Sequence, residues 1–190
     1  MGRLTPEIAE GKKIIANLME WLGIQITPST ERTPERVAKM YLEVFKGMYC
    51  EPPAITVFKA EESKDTYVCV TDIFFNSFCE HHLLPFSGKC GIVYRVNRAG
   101  DVIGLSKLPR IVEFFSSKPQ LQEKLTFEVA NDVMQRLKPK GVYVAMSAEH
   151  TCMTIRGIKA RGSKTNTSAM LGDIDKEEAI RLLETKKFFE

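Results

Sequence analysis

The sequence predicts an α+β fold: an antiparallel sheet with helices on one face, preceded by an N-terminal helical pair. Helical spacing comes first, β-type runs follow, and two more helical patterns precede a further alternating run and a last helix. Strands and helices therefore arrive in blocks, which argues against a doubly wound parallel sheet. The length of 190 residues suits one sheet-bearing domain over 51–190 with a helical appendage over 1–50.

Thr5-Pro6-Glu7 reads as an N-cap with proline at the first helical position, and Ile8, Ile15, Leu18 and Leu22 form an apolar stripe ending at Gly23. A polar linker over 27–32 leads to a second start at Thr33-Pro34-Glu35. Val37, Met40, Tyr41, Val44 and Phe45 share one face there, Gly47 stops the helix, and Arg36 and Lys39 lie off the stripe. Residues 55–58, 67–78 and 83–96 are rich in β-branched and aromatic side chains, and Asn97-Arg98-Ala99-Gly100-Asp101 reads as a hairpin turn into a strand over 102–105. Leu108, Ile111, Val112 and Phe115 restore helical spacing. A longer helix carries Leu121, Leu125, Val129, Val133 and Leu137, and Lys138-Pro139-Lys140-Gly141 ends it. Val142, Val144, Met146 and Ala148 alternate as a half-buried strand leading to His150. Residues 151–158 read as its continuation, and Asp175 caps a final helix.

Composition narrows the function classes. Hydrophobic content of 44% with 27% charge is ordinary for a soluble globular protein, and a net charge of +3 is too small to argue for nucleic acid or an anionic membrane. No apolar run approaches the ~20 residues of a membrane span. Five cysteines without a secreted-domain pattern, and no leader over 1–20, predict reduced thiols in the cytoplasm, available to a metal.

All three histidines lie in two short stretches, Cys79-Glu80-His81-His82 and Glu149-His150-Thr151-Cys152. A turn can aim Cys79 and His82 at one ion, and Cys152 can close the set. Three protein ligands leave a fourth tetrahedral position for water, the layout of catalytic zinc. His81 and His150 are then free to move protons near neutral pH. The spacing alone also admits a closed structural zinc, with Cys50, Cys69 or Cys90 as fourth ligand, and a strand cysteine is often just a small buried hydrophobe.

Cations crowd these stretches: Lys107 and Arg110 beside the hydroxyl of Ser106, and Arg156, Lys159, Arg161 and Lys164 further on. Together they suit a polyphosphate, whereas singly each reads as solvated surface. The run over 157–165 is not a phosphate-binding glycine loop, because Ser163 stands where lysine is required and no helix follows. Gln122 and Glu123 open a helix. Their alternatives are plain surface or purine recognition, since a carboxylate accepts both the N1–H and the 2-amino hydrogens of guanine.

With these residues in view, the chain resembles GTP cyclohydrolase I from about Thr33 to Gly172. The resemblance lies in Cys79-Glu80-His81-His82, the run from Gly104 to Arg110, the run from Gln120 to Thr126, Glu149-His150-Thr151-Cys152, and Thr167-Ser168-Ala169-Met170. It implies that Cys79, His82 and Cys152 hold zinc, and that water activated there attacks C8 of the guanine of GTP while His150 protonates N7. Formate then leaves, and the ribose opens and rearranges to give 7,8-dihydroneopterin triphosphate. It implies ribose steps served by His81 and Ser106, guanine recognition by Glu123 with Gln122, and triphosphate contacts from Lys107, Arg110 and Arg156. Arg36 and Lys39 would reach in from a neighbouring subunit. The implied fold is of the tunnelling type, its barrel completed as a homodecamer of two stacked pentamers, with sites between subunits. Thr151, Pro109 and Ala160-Arg161 depart from the family's usual residues without touching a catalytic role.

Two rivals use the same residues. One is a related zinc hydrolase that stops at the formamide intermediate, against which the presence of both His81 and His150 argues. The other is a non-catalytic, zinc-stapled GTP-binding protein, which has no need of two unliganded histidines. Nucleic-acid binding fits less well, because the cations cluster near the metal stretches and not along an aromatic-laced face.

Overall fold

The computed structural model describes residues 6–184. Its contacts fall into two compact units, one ending at Glu51 and the next starting at Pro52.

In the first unit, α1 (Ile8–Trp21) packs against α2 (Thr33–Val44). The seam is built from small residues: a Cβ on Gly11 would stand 3.1 Å from Ala38 Cβ. Such close approach leaves only a narrow buried strip. This corrects the expected stripe: Ile15 and Met19 are inside, while Ile8, Leu18 and Leu22 flank the seam and are exposed. In α2, Pro34 and Ala38 are buried and Met40 is exposed. The helix ends at Val44 and a short 3-10 turn, Lys46–Met48, contains Gly47. The expected cap at Thr5 lies outside the described residues.

The second unit contains β1 (Val57–Lys59), β2 (Tyr67–Cys79), β3 (Pro85–Arg95), β4 (Asp101–Ile103), α3 (Lys107–Ser116) and β5 (Pro119–Gln120). It continues with α4 (Gln122–Leu137), β6 (Gly141–His150), α5 (Thr151–Thr154), β7 (Thr165–Gly172) and α6 (Lys176–Glu184). Among the described residues, five strands form the main sheet in the order β5-β2-β3-β6-β7. Every pairing is antiparallel except the two-residue contact of β5 with β2. The α+β class with its antiparallel sheet is therefore the predicted one, except that helices cover both faces, α3 and α4 one and α6 the other. Among the described residues no helix is long and apolar enough to cross a membrane.

One face of the sheet carries the main core. Ile92, Tyr94, Val142 and Val144 pack against Leu108, Ile111, Leu125 and Val129 of α3 and α4, all fully buried. The reverse face carries a smaller cluster in which Val93 and Tyr143 meet Ile174 and Ala179 under α6. Asp175 caps α6 as expected, its Oδ1 accepting from the Glu178 N–H at 3.0 Å.

A bulge in β2 sets which side chains reach which face. Val70 pairs with Ile92 and Ile73 with Cys90, so Thr71 and Asp72 stand opposite Gly91 alone. Asp72 takes the left-handed conformation (φ 58°), which Asp tolerates better than most residues, and its carboxylate pairs with Lys89 at 2.9 Å. Val68 and Val70 contribute to the main core before the bulge, and Ile73, Phe75 and Cys79 after it.

β3 and β6 approach closely at Gly88, where a Cβ would stand 2.7 Å from Ala148 Cα and collide with the Ser147 carbonyl. Both neighbours are backbone of the paired strand, so neither yields cheaply. Gly88→Ala should therefore cost about 1–3 kcal/mol or more, read as a lower urea midpoint; an unchanged midpoint would contradict this packing.

Three expectations need correction. Asn97 does organise a turn, its Oδ1 accepting from the N–H groups of Ala99 and Asp101 at 3.0 Å each. The strand that follows, however, pairs with β1 and not back on β3. β3 is flanked by β2 and β6 up to Arg95, so neither of its edges has room for a returning strand. Residues 151–158 do not extend β6. The last pair with β3 is Phe86↔His150, and the chain turns into α5 where that partner runs out. Finally, Thr165–Gly172 forms an edge strand that the sequence pattern does not predict, and the strand expected over 55–58 lies at Val57–Lys59.

Candidate functional site

Three strand ends meet at one end of the main core face. β2 finishes at Cys79, whose carbonyl accepts from the N–H groups of His82 at 3.3 Å and Leu83 at 2.8 Å. Leu83 is left-handed (φ 53°), and the Cys79 N–H donates to the Leu84 carbonyl at 2.9 Å, so the chain folds tightly back into β3. β6 ends at His150, and α5 begins immediately, placing Cys152 on its first turn.

The candidate ligand atoms of Cys79, His82 and Cys152 all lie within 4.8 Å of one another, and Cys79 Sγ is 3.5 Å from His82 Nδ1. Tetrahedral zinc with bonds of about 2.1–2.3 Å holds its ligand atoms about 3.5–3.8 Å apart. Two sulfurs and an imidazole at this spacing are a donor set that fits zinc. Burial raises the Cys152 pKa first, and its hydrogen bond to Cys79 and that residue's charge add to the effect; Arg156 pulls weakly the other way. The Cys152 thiol therefore resists ionising, and a bound cation would favour its thiolate.

The other cysteines do not join this group. Cys90 is fully buried in the core, where burial holds its thiol far above the usual range. Cys69 packs with the reverse-face cluster and directs its sulfur at the Leu182 carbonyl. Cys50 belongs to the first unit and is exposed. Among the described residues no fourth Cys, His, Asp or Glu completes the set. That favours a three-ligand site over a closed one.

His81 is exposed, with Nδ1 3.9 Å from Cys79 Sγ. His150 stacks on Phe86, ring centroids 4.4 Å apart and planes within 6°. Burial lowers its pKa, and the Glu123 carboxylate opposes that shift, so Glu123 lies within electrostatic reach of the ring. Glu123 itself is exposed on the first turn of α4.

Gln122 departs from both of its expected readings. It is 1% exposed, and its Oε1 sits 2.8 Å from His150 Nε2. Its Nε2 donates toward the Thr165 carbonyl at 2.9 Å and Thr167 Oγ1 at 3.1 Å. The side chain is spent within the chain, so it is neither surface nor free to read a base directly. A polar residue at a helix start carries no periodic signal, and only the fold reveals this contact.

Ser106, Lys107 and Arg110 cluster at the head of α3, Ser106 and Arg110 exposed and Lys107 half-buried. Arg156 is exposed just after α5. Lys107, Arg110 and Arg156 make no ion pair among the described residues, so their charges are available to an anion. Arg36 and Lys39 are exposed on α2 in the first unit, with Lys39 paired to Glu35.

The profile of the family described as GTP cyclohydrolase I matches residues 11–187. GTP cyclohydrolase 1 of Brevibacillus brevis is 50% identical over 149 residues, 78% of this chain and 79% of that protein. The protein of the same name from Acetivibrio thermocellus is 48% identical over 163 residues, covering 84% and 87%. That of Thermoanaerobacter pseudethanolicus is 41% identical over 184 residues, covering 93% and 96%. The profile spans nearly the whole chain, including every residue of the candidate site, and these relatives match 78–93% of it; the chain therefore belongs to the GTP cyclohydrolase I family.

Proposed function

We propose that this chain is a zinc-dependent GTP cyclohydrolase. It opens the imidazole ring of the guanine of GTP, releases C8 as formate and yields 7,8-dihydroneopterin triphosphate, the entry step of pterin and folate synthesis. One observation carries the reading: a three-ligand Cys79/His82/Cys152 group with two further histidines beside it that the ligand set does not use.

Bound zinc would supply a water whose pKa is lowered to ~7, making hydroxide available at neutral pH. The remaining work falls to the chain. C8 of guanine is a poor electrophile until N7 carries a proton, and His150 is the donor for that proton. Once the C8–N bonds are hydrolysed and formate departs, His81 and Ser106 serve the opening and rearrangement of the ribose. Glu123 accepts from N1–H and the 2-amino group, a pair that adenine lacks. Lys107, Arg110 and Arg156 hold the triphosphate through charge-assisted bonds.

Arg36 and Lys39 complete the phosphate site from a neighbouring subunit, in a homodecamer of two pentamers whose barrel is closed by the sheets of successive chains. In this reading residues 1–50 are a helical appendage, residues 51–190 the catalytic domain, and the enzyme works in the cytoplasm. The outer edge of β7, unpaired among the described residues, supports closure by a further chain, since bare strand edges invite pairing.

The test is formate release from GTP, with zinc quantified in parallel. Release should stop on chelation and return on adding zinc back, with dihydroneopterin triphosphate as product. A formylated pyrimidine would instead mean arrest at the formamide intermediate. GTP binding without formate would leave only the zinc-stapled binding protein.

A further inference from the structure

We infer that Gln122 is a positioning residue for His150, holding Nε2 as the hydrogen-bearing ring nitrogen and leaving Nδ1 as the atom that meets substrate. What Nδ1 does there rests on the proposed reaction, whereas the tautomer itself is a property of the substrate-free protein.

The argument is a proton count. The Thr165 and Met146 carbonyls, 2.9 and 3.3 Å from the Gln122 amide, can only accept hydrogen bonds. The amide nitrogen must therefore face them, which turns Oε1 toward His150. Thr126 Oγ1 donates to the Gln122 carbonyl at 2.8 Å, so its own proton is committed. In the 2.6 Å contact between Thr126 and Thr167 the donor is then Thr167, whose lone pair stays available to the Gln122 amide at 3.1 Å. The two amide hydrogens of Gln122 are thus shared among three acceptors, the Thr165 and Met146 carbonyls and Thr167 Oγ1, and none is left for His150. With Oε1 able only to accept, the 2.8 Å contact requires a hydrogen on His150 Nε2.

Two further contacts make the arrangement rigid. Phe86 stacks flat on the imidazole and fixes the ring plane. Gln122 is buried between α4 and β7 and cannot rotate without breaking its bonds to Thr165 and Thr167. The opposite nitrogen, Nδ1, has no hydrogen-bond partner among the described residues. In the proposed reaction the cation is protonated on both nitrogens. The N–H bond at Nδ1 breaks as that proton passes to N7 of guanine, and the ring returns to the neutral Nε2–H form that Gln122 favours. The glutamine thus acts on the chemistry without touching the substrate.

The test begins with the zinc-loaded, substrate-free wild type, uniformly labelled with 15N-histidine and studied by magic-angle-spinning NMR at a pH of about 8, above the ordinary histidine range. Only three imidazoles contribute, and subtraction of a His150→Phe spectrum identifies the relevant one. The expected result is a pyrrole-type Nε2 and a pyridine-type Nδ1; the reverse assignment overturns the inference. Gln122→Leu should then lower kcat about 10–100-fold with KM for GTP and zinc content nearly unchanged. Gln122→Glu should restore kcat to within about five-fold, because a buried acid kept neutral still offers an acceptor to His150 and a donor to Thr165. Unchanged kcat in Gln122→Leu, or equal damage in both variants, also overturns it. If Gln122→Leu does not fold, the wild-type spectrum still decides. Failure of the wild type to release formate would remove the proposed function and leave the tautomer result standing.

Discussion

His150→Ala lowers formate release from GTP by ~10²–10⁴-fold, the range a general acid supplies, and leaves the zinc content of the protein unchanged. The side chain is no ligand: its Nε2 is held by Gln122, and the metal-fitting group consists of Cys79, His82 and Cys152. Loss of the ring removes the proposed proton donor for N7 and the stacking partner of Phe86, but none of the three atoms that fit a metal. GTP binding should persist, because in the proposed reaction the guanine edge and the phosphates are read by other residues. Metal analysis beside a formate assay checks both halves. Zinc lost together with activity would place His150 among the ligands and sink the assignment.

Cys152→Ala produces the opposite pattern. Zinc falls from ~1 per chain toward zero, and activity falls at least ~10³-fold with it, since two protein ligands no longer define a site. The thermal midpoint should also drop, because an ion that binds only the folded chain stabilises it by mass action, by ~2.7 kcal/mol when free metal stands at a hundred times Kd. The metal-depleted wild type should melt close to the Cys152→Ala protein. Were the variant to keep stoichiometric zinc, the third ligand would have to come from elsewhere. The two substitutions, two residues apart in sequence, thus separate proton transfer from metal retention.

Periodicity read the second unit well where one partner surface decides the pattern. Leu108, Ile111 and Val112 do lie on the buried side of α3, and Val142, Val144 and Met146 on the buried side of β6. It failed where tertiary constraints override composition. Residues 151–158 look like strand, yet β3 offers no backbone to pair with beyond Phe86. β7 was hidden because it is an edge strand, half-buried on one side and exposed on the other, and its polar residues mask the alternation. In the first unit the seam between α1 and α2 follows Gly11 and Ala38, and small residues leave little trace in an apolar pattern. The chemistry was more legible. Every histidine falls in two stretches, and the fold brings Cys79, His82 and Cys152 of those stretches within ligand distance of one another, although spacing alone left a closed zinc site or a buried cysteine equally open. Gln122 was not legible at all, since its partners on β6 and β7 are far away in sequence.

The extra residue at Thr71–Asp72 has a chemical consequence well beyond its own place in the strand. Successive side chains of an extended chain emerge on alternate sides, so parity decides where each one points. Before the bulge, even-numbered Val68 and Val70 face the main core; after it, odd-numbered Ile73, Phe75 and Cys79 do. Without that one residue, the thiol of Cys79 would emerge on the face that carries Cys69 and Tyr143, on the far side of the sheet from His150. The Cys-x-x-His spelling would survive, and the grip on an ion would not. Whether this chain can hold a metal is thus settled partly by arithmetic upstream of the ligands themselves.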